Sequence, residues 1–445
     1  MKVFFRNIHL YLSLAAGIII FCSCLSGTLL VFEEEIEHTL HHNRYYVEPQ
    51  GQRLSLAQLA QTAVSQVPKA KLAGIKVYNA ADRSVEIGLL TPGKPGEKGE
   101  GKSESTGGKS RNGEKAERKS EKGEGKGESG GGKRKNGERA ERKGGKAGQK
   151  DGAEAKGKGG GKPSLTVYVN PYTGKVIEVF NRRKSFLMQA EMFHRFLLAG
   201  KDSLGNKLVG ISTLFFLFIL ITGVVLWWPK TKKIMSQRLV IKWSGGWKRL
   251  THDLHIVTGF YTSIFLIVIV VTGLIMSYKW ANGLLFSVSG SKPVTEQPKA
   301  PESQIQPGVK PLTADEVFKA INQAVANAEF YNIRTPRDSA AAYSVTLLQE
   351  GKLENMADTY FIDQYSGKVA GIHKYTDKNA GQRARSFVKP IHTGSVYGLP
   401  TKIISFIVCL LSLIFPVTGV MMWLNRIKKG KRKRIVTHRR PVAAV

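Results

Sequence analysis

The chain has 445 residues, 42% of them hydrophobic, and a formal net charge of +33 at pH 7. The apolar residues are concentrated in four long runs, which excludes an ordinary soluble protein of two or three domains. Much of the positive charge lies beside these runs, at both ends of the chain and in one loop, so it indicates membrane topology rather than nucleic-acid binding. We therefore expect no nucleic-acid partner and expect the basic segments to contact anionic membrane lipid.

The four apolar runs lie at residues 8–32, 208–228, 256–278 and 403–424 and contain no Lys, Arg, Asp or Glu. Each is long enough to cross a bilayer, which takes roughly 20 residues. The positive-inside rule places both termini and the basic loop at 229–250 in the cytoplasm. We predict a multi-pass protein of a bacterial inner membrane. A cleaved signal peptide is the alternative for the first run, but its length and the lack of a small-residue cleavage site favour a retained span.

The three cysteines, Cys22, Cys24 and Cys409, all lie inside apolar runs. They match no disulfide, zinc or redox spacing, so we expect them to pack as small apolar side chains. There is also no C-x-x-C-H, so a covalently attached haem is not expected.

The loop after the first run is predicted to hold a small periplasmic α+β module, formed by residues 33–91 and 163–185. Its predicted elements are a helix at 54–67, strands at 75–77 and 85–89, and a hairpin at 164–179. Between the two parts, residues 92–162 consist almost wholly of Gly, Lys, Arg, Glu and Ser. This insertion is predicted to be disordered because it cannot form a core. Capture of an acidic partner is the functional alternative for it.

Three histidines follow the first run closely: His38, His41 and His42. On a helix, His38 would share a face with His41 or His42, which is compatible with metal binding. With no further ligand nearby, a solvated juxtamembrane segment is the simpler interpretation.

Residues 281–389 are predicted to form a second periplasmic α+β module. A helix at 313–326 begins after Thr313 as N-cap, and strands follow at 342–348 and 359–362. The hairpin sequence IDQYSGKVAGI then aligns with VNPYTGKVIEV of the first module at a constant offset of 193 residues. The fold class predicted is therefore an all-α four-helix membrane bundle, built from a duplicated two-span unit, with two periplasmic α+β modules. The remaining predicted segments are the first span with its cytoplasmic start at 1–32, a histidine segment with the second span at 186–228, the third span at 251–280, a histidine segment with the fourth span at 390–424, and a basic tail at 425–445.

One histidine stands at the start of each span or just before it. Two of them, at the cytoplasmic edge, precede a glycine by 18 residues, and the other two lie at the periplasmic edge. Neutral imidazoles paired in two layers are a geometry with which a helical bundle holds b-type haem, so we predict two haems. The candidate iron ligands are His9, His255, His194 and His392.

Two alternatives bear on this assignment. A histidine at a membrane edge can simply be interfacial and hydrogen-bonded to water or lipid. His252 competes with His255 for the ligand role, because it lies one turn earlier on the same helical face. The position that corresponds to His252 in the first span holds Arg6, so we prefer His255.

The segments FHRFLLAG, IHTGSVYG and TGVVLWWP, together with the YTGKV and YSGKV hairpins, resemble the PepSY-associated transmembrane proteins. These include iron-regulated membrane proteins and periplasmic ferric-siderophore reductases. The resemblance covers all four spans and both modules but not the insertion at 92–162. It implies two b haems on His9, His255, His194 and His392, PepSY modules over the periplasmic mouth, and reduction of ferric siderophores to release ferrous iron.

The function predicted is one-electron transfer from a quinol or cytoplasmic donor to a periplasmic ferric siderophore. Fe(III) is held by hard oxygen ligands much better than Fe(II), so reduction releases the metal. No P-loop and no G-x-G-x-x-G after a predicted strand is present, so a nicotinamide site is not expected. The alternatives are a non-enzymatic PepSY-bearing binding or regulatory protein and a subunit of a metal-chelate transporter.

Overall fold

The structure, a computed structural model, describes residues 1–91, 165–293 and 300–438, with side chains up to residue 429. The predicted insertion at 92–162 and the side chains of most of the predicted basic tail lie outside these residues. The helices described are α1 Lys2–Leu30, α2 Glu33–Leu40, α3 His42–Tyr45, α4 Leu56–Ser65, α5 Phe186–Phe196, α6 Leu204–Trp227, α7 Lys232–Arg238, α8 Trp247–Ser277, α9 Lys279–Val288, α10 Ala314–Ala324, α11 Ala380–Thr393, α12 Leu399–Ser412 and α13 Ile414–His438. The strands are β1 Lys71–Tyr78, β2 Val85–Leu90, β3 Leu165–Val169, β4 Val176–Phe180, β5 Ala328–Arg334, β6 Tyr343–Gln349, β7 Asp358–Ile362 and β8 Val369–His373.

Four helical stretches of the described chain are long and apolar enough to cross a membrane, as predicted: α1, α6, α8 and the consecutive pair α12–α13. They pack against one another as a bundle, with α1 against α6 and α12, and α8 against α6 and α13. Large apolar side chains such as Ile18 and Ile264 remain exposed on its outside, as expected for a surface that faces lipid. The chain is a multi-pass membrane protein.

The fourth span is interrupted at Leu413, between α12 and α13. Pro416 lies just after the interruption, and it cannot donate the backbone hydrogen bond that would join it to Ser412. Next to the break, the Ser412 hydroxyl donates to the Cys409 carbonyl oxygen, at 2.6 Å. The break is therefore a local consequence of the proline, and the span continues beyond it.

The segments that carry His194 and His392 form helices of their own, α5 and α11, which pack against α1 and α8 respectively. Helix α5 begins at the N-cap Ser185, whose hydroxyl accepts from the Met188 N–H, and ends at Leu197 in the left-handed conformation. Helix α11 begins at Asn379 and ends at Gly394, also left-handed, with φ of +77°. These sharp ends let each helix fold back onto the preceding span before the next one starts.

The eight strands form one antiparallel sheet in the order β4-β3-β2-β1-β5-β6-β7-β8. Each predicted module supplies four neighbouring strands, and the pairing of β1 with β5 joins the two sets. The backbones approach closely at this junction, since a Cβ on Gly74 would lie 2.5 Å from the Ile333 carbonyl oxygen. Neither β5 nor this junction was predicted from the sequence, and the two modules were therefore expected to be separate.

One face of the sheet carries a single hydrophobic core beneath α4 and α10. The core combines side chains from both strand sets, including the fully buried Ile75, Ile87, Val317, Ile333 and Leu347. The predicted helix after Thr313 is confirmed, because the Thr313 hydroxyl accepts from the Glu316 N–H in a capping box. The sheet and its two helices therefore form one α+β module at one end of the bundle, which we call the sheet end; the opposite end, with the basic loop at 229–250, is the basic end.

The segment after the first span differs from the solvated exit predicted for it. Residues 33–45 form helices α2 and α3, and Arg44 is buried with only 3% of its side chain exposed. The Arg44 guanidinium donates to Glu178 at 2.8 and 2.9 Å and to Glu37 at 2.7 Å. Glu178 belongs to β4, so this charged cluster ties the end of the first span to the sheet.

A pair of opposed histidines at each end of the bundle

The predicted histidines lie in two pairs. At the basic end, His9 on α1 faces His255 on α8, with ring centroids 6.3 Å apart and ring planes at 78°. At the sheet end, His194 on α5 faces His392 on α11, with centroids 6.2 Å apart and planes at 63°. We call these the basic-end pair and the sheet-end pair. The fold thus brings together all four histidines, two by two, and each pair takes one member from each half of the chain.

The Nδ1 atom of every one of these rings is held by a neighbouring helix. His9 Nδ1 lies 3.0 Å from the Ile219 carbonyl oxygen, and His194 Nδ1 lies 2.8 Å from that of Ser23. His392 Nδ1 lies 2.9 Å from the Ile269 carbonyl oxygen. His255 differs, because its described Nδ1 partner is the Thr418 hydroxyl at 2.8 Å.

These contacts determine the tautomer of the rings. A carbonyl oxygen can only accept, so the Nδ1 of His9, His194 and His392 carries the hydrogen. The Thr418 hydroxyl donates its own hydrogen to the Ile414 carbonyl oxygen at 2.8 Å, so it also accepts from His255. A neutral ring with hydrogen on Nδ1 leaves the lone pair on Nε2 free. None of the described residues is hydrogen-bonded to Nε2 of any of the four rings.

A Ser-Gly or Thr-Gly dipeptide receives each histidine. The hydroxyls of Thr222, Thr272 and Ser26 lie 3.1, 3.1 and 3.4 Å from the Nδ1 atoms of His9, His392 and His194. The glycine that follows leaves room for the ring. A Cβ on Gly27, Gly223 or Gly273 would lie 3.1 to 3.3 Å from the Cε1 atom of its histidine, and one on Gly419 would lie 3.6 Å away. The dipeptides are Ser26-Gly27, Thr222-Gly223, Thr272-Gly273 and Thr418-Gly419.

The spacing within each pair fits two imidazoles on one metal. With a metal–nitrogen bond of about 2 Å and about 1.1 Å from a ring nitrogen to the centroid, two such rings have centroids about 6 Å apart. In the described residues there is no group of three or more His, Cys, Asp or Glu that could hold a metal ion. A metal held by two imidazoles needs its other ligands from a macrocycle, and haem supplies them. The residues therefore fit haem better than a free metal ion.

Burial keeps the sheet-end rings neutral. It lowers the pKa of His194, and burial together with the neighbouring His194 lowers the pKa of His392 to about 4. A neutral imidazole is the form that binds a metal. The two levels are well separated: His9 and Gly27, which contacts the sheet-end pair, are 18 residues apart on α1, or about 27 Å along the axis.

The other histidines have different partners. His252 Nδ1 lies 3.2 Å from a carboxylate oxygen of the buried Asp253, and half of its side chain is exposed. His38 packs on the Tyr45 ring at 4.2 Å, and His42 stacks on the Tyr46 ring at 4.7 Å. His41 is exposed. The metal-binding interpretation of the segment after the first span thus gains no support from the described residues.

Charged and aromatic side chains also lie at the sheet end. Lys402, at the start of the fourth span, pairs with Glu35 at 2.6 Å and with Glu34 at 3.6 Å. On the sheet, the Tyr78 hydroxyl donates to Glu86 at 2.6 Å, and the Arg83 guanidinium lies over the Tyr78 ring at 4.0 Å. Burial and the Glu86 carboxylate raise the pKa of Tyr78, and Glu34 acts on it in the same direction.

Four membrane-crossing helices, paired histidines and a single α+β module define a multi-pass membrane protein with an extramembrane sheet at one end. The chain belongs to the family described as PepSY-associated TM region, whose model matches residues 6–426. The match covers all four spans and the whole sheet, in agreement with the resemblance noted in the sequence. Comparison with curated proteins finds none that matches this chain.

Proposed function

We propose that the protein holds two b-type haems and passes electrons across a bacterial inner membrane to a ferric siderophore in the periplasm. The observation that carries the proposal is the geometry of the two pairs: opposed imidazoles with centroids 6.2 and 6.3 Å apart, each with Nδ1 occupied. Four neutral rings with unused Nε2 lone pairs, at two levels of one bundle, need a partner at each level.

In this proposal His9 and His255 hold one haem and His194 and His392 hold the other. Haem supplies reversible one-electron transfer. The chain's own residues orient the rings: the carbonyl oxygens of Ile219, Ser23 and Ile269 fix the ring planes and raise the basicity of Nε2. The glycines of the four dipeptides admit the rings, and the apolar spans exclude water from the space between them.

The substrate is proposed to bind at the sheet end. Lys402, at the start of the fourth span, and Arg83 and Tyr78, at the sheet, offer two cations and an aromatic ring at this end. An oxygen-rich ferric chelate is suited to such a surface, because its oxygens accept hydrogen bonds from cations and its apolar parts pack on rings. Each ferric ion takes one electron, and the ferrous ion is then held more weakly by the same oxygens.

We further infer that the chain arose by duplication of a two-span unit. The turns at Asn170 and Asp363, 193 residues apart, each accept from the N–H two residues later. Gly174 and Gly367, at the same offset, both have φ of +70°, and a Cβ on either would lie 3.1 Å from a leucine methyl carbon. Under this inference each half supplies one PepSY-like module, and both termini lie in the cytoplasm because the basic loop at 229–250 shares their end of the bundle.

The test uses the full chain purified from membranes. The wild-type protein is expected to contain two haems per chain, with a b-type absorbance on dithionite reduction. His9→Ala and His194→Ala should each lose about one haem, whereas the control His41→Ala, at an exposed site, should keep both. A colourless wild-type protein would refute the proposal and favour a PepSY-bearing regulator or a transporter subunit. A haem protein that a ferric hydroxamate siderophore fails to reoxidise would refute the substrate alone.

A further inference from the structure

An apolar groove of about 450 Å³ opens beside the basic-end pair. It lies between α8, the middle of the fourth span near Leu411, and the non-helical segment at 239–243. Its walls include Val240, Trp243, Val257, Thr258, Tyr261 and Leu411. Tyr261 and Trp243 are more than half exposed, so the groove is open on the side that faces the membrane.

The groove shares helix α8 with the basic-end pair. Thr258 follows His255 on α8 by three residues, or about 5 Å along the axis. Phe415, one turn after Leu411, has its ring centroid 5.7 Å from that of His255. It also lies within contact distance of Gly259, where a Cβ would be 3.9 Å from the Phe415 ring. A ring bound in the groove would therefore lie within about two helical turns of the histidine.

Polar contacts hold the groove open. The Tyr261 hydroxyl donates to the Leu239 carbonyl oxygen at 3.3 Å, and the Lys242 N–H donates to the buried Asp253 carboxylate at 3.3 Å. The Asp253 carboxylate is itself held by Arg249 at 2.7 Å. These contacts fix the distance between the non-helical segment and α8.

We infer that this groove binds a membrane quinol, which donates the electrons; the inference rests on the proposed function. A quinol is a flat apolar ring with two hydroxyls, and the groove offers the aromatic side chains Trp243 and Tyr261 beside the threonines of α8. The Thr258 and Thr262 hydroxyls donate to carbonyls one turn earlier, so their lone pairs can accept from the ring hydroxyls. A lipid chain has no hydroxyl to donate to them.

The reaction balances without a further reactant. One quinol becomes one quinone by losing two electrons and the hydrogens of its two hydroxyls, which leave as protons. The two electrons leave singly and reduce two ferric ions to two ferrous ions. The two protons pass to water at the basic end.

The first test measures binding through Trp243. Decylubiquinone added to the protein in nanodiscs should quench tryptophan fluorescence saturably, and W243F should lose most of that saturable component. The second test measures reduction by decylubiquinol. T258F fills the groove and should lower the rate at least tenfold, whereas I264F, a lipid-facing change on the same helix, should leave it within twofold.

The outcomes separate this inference from the proposed function. If quenching does not saturate, or if T258F and I264F have equal rates, the groove binds only lipid and the quinol inference is wrong. The dithionite-reduced spectrum, measured on the same samples, reports the haems independently. An intact spectrum with no response to quinol refutes the donor, while a missing spectrum refutes the proposed function itself.

Discussion

Thr418 and Thr222 provide a matched pair of substitutions for the basic-end histidines. In T418V, the Nδ1 hydrogen of His255 loses its described acceptor, the hydroxyl at 2.8 Å. In T222V, His9 keeps the Ile219 carbonyl oxygen at 3.0 Å. Both threonines also donate to the carbonyl four residues earlier, at 2.8 and 2.7 Å, so that loss is the same in the two variants.

The difference can be estimated from the cost of an unpaired donor. Leaving a buried N–H without an acceptor costs about 1–3 kcal/mol, which is about 5- to 150-fold in an equilibrium constant. Loss of a partner behind a metal ligand similarly weakens metal binding by about 10- to 100-fold. We therefore expect T418V to lower haem affinity at the basic end by about tenfold or more and T222V by less than about threefold.

The assay follows transfer of haem from the purified protein to excess apomyoglobin. Both threonine variants are made in the H194A background, so that only the basic-end pair is observed. Faster transfer from T418V than from T222V is the expected result. Equal transfer from the two variants would mean that the Nδ1 contact does not hold His255, and the reasoning from hydrogen bonds would be refuted.

Two further substitutions test the glycines and a turn of the sheet. G27A should weaken haem binding at the sheet end, since the new Cβ would lie 3.1 Å from a histidine carbon, whereas G419A, with 3.6 Å, should be nearly neutral; haem content per chain measures both, and equal losses would contradict the steric argument. Burial alone would raise the pKa of Asp363, but hydrogen bonds from Ser366, Gln304 and Tyr365 lower it. The carboxylate therefore stabilises the fold above the unfolded pKa of about 3.9, and this contribution is lost as the pH falls through the lower folded pKa. D363N should lower the free energy of unfolding at pH 7 by about 1–2 kcal/mol, and the difference between variant and wild type should shrink in acid. Thermal unfolding at several pH values measures it, and a difference that stays constant down to pH 3 would contradict this.

The spans were predictable because each is a continuous apolar run. In the structure each spanning helix begins before its predicted apolar run, as with α8, which begins at Trp247. Helix continuation through polar residues such as Lys248 and Asp253 carries no hydropathy signal. The sheet was predictable only in part. Strand β5 has Asn332 and Glu329 among its apolar residues, and its pairing with β1 joins positions more than 250 residues apart.

The histidines could be singled out by their repeated position, and their pairing followed from the assumption that the two halves face each other. The residues that hold them were not predicted. Each span contains one of the dipeptides Ser26-Gly27, Thr222-Gly223, Thr272-Gly273 and Thr418-Gly419, and this repeat was a usable signal, although α8 also contains Thr258-Gly259. The histidine that each dipeptide contacts could not be predicted, because a dipeptide and its histidine lie on different helices and only packing brings them together.

The way the histidines are held makes the two pairs dependent on the complete fold. Within each half, the helices exchange contacts: His194 rests on Gly27 of the first span, and His9 rests on Gly223 of the second. Each opposed pair then takes one ring from each half, so neither half contains a complete pair. The β1–β5 pairing joins the same two halves outside the bundle. A chain whose halves have not docked therefore has single histidines but no opposed rings, and both pairs must form together with the bundle and the sheet.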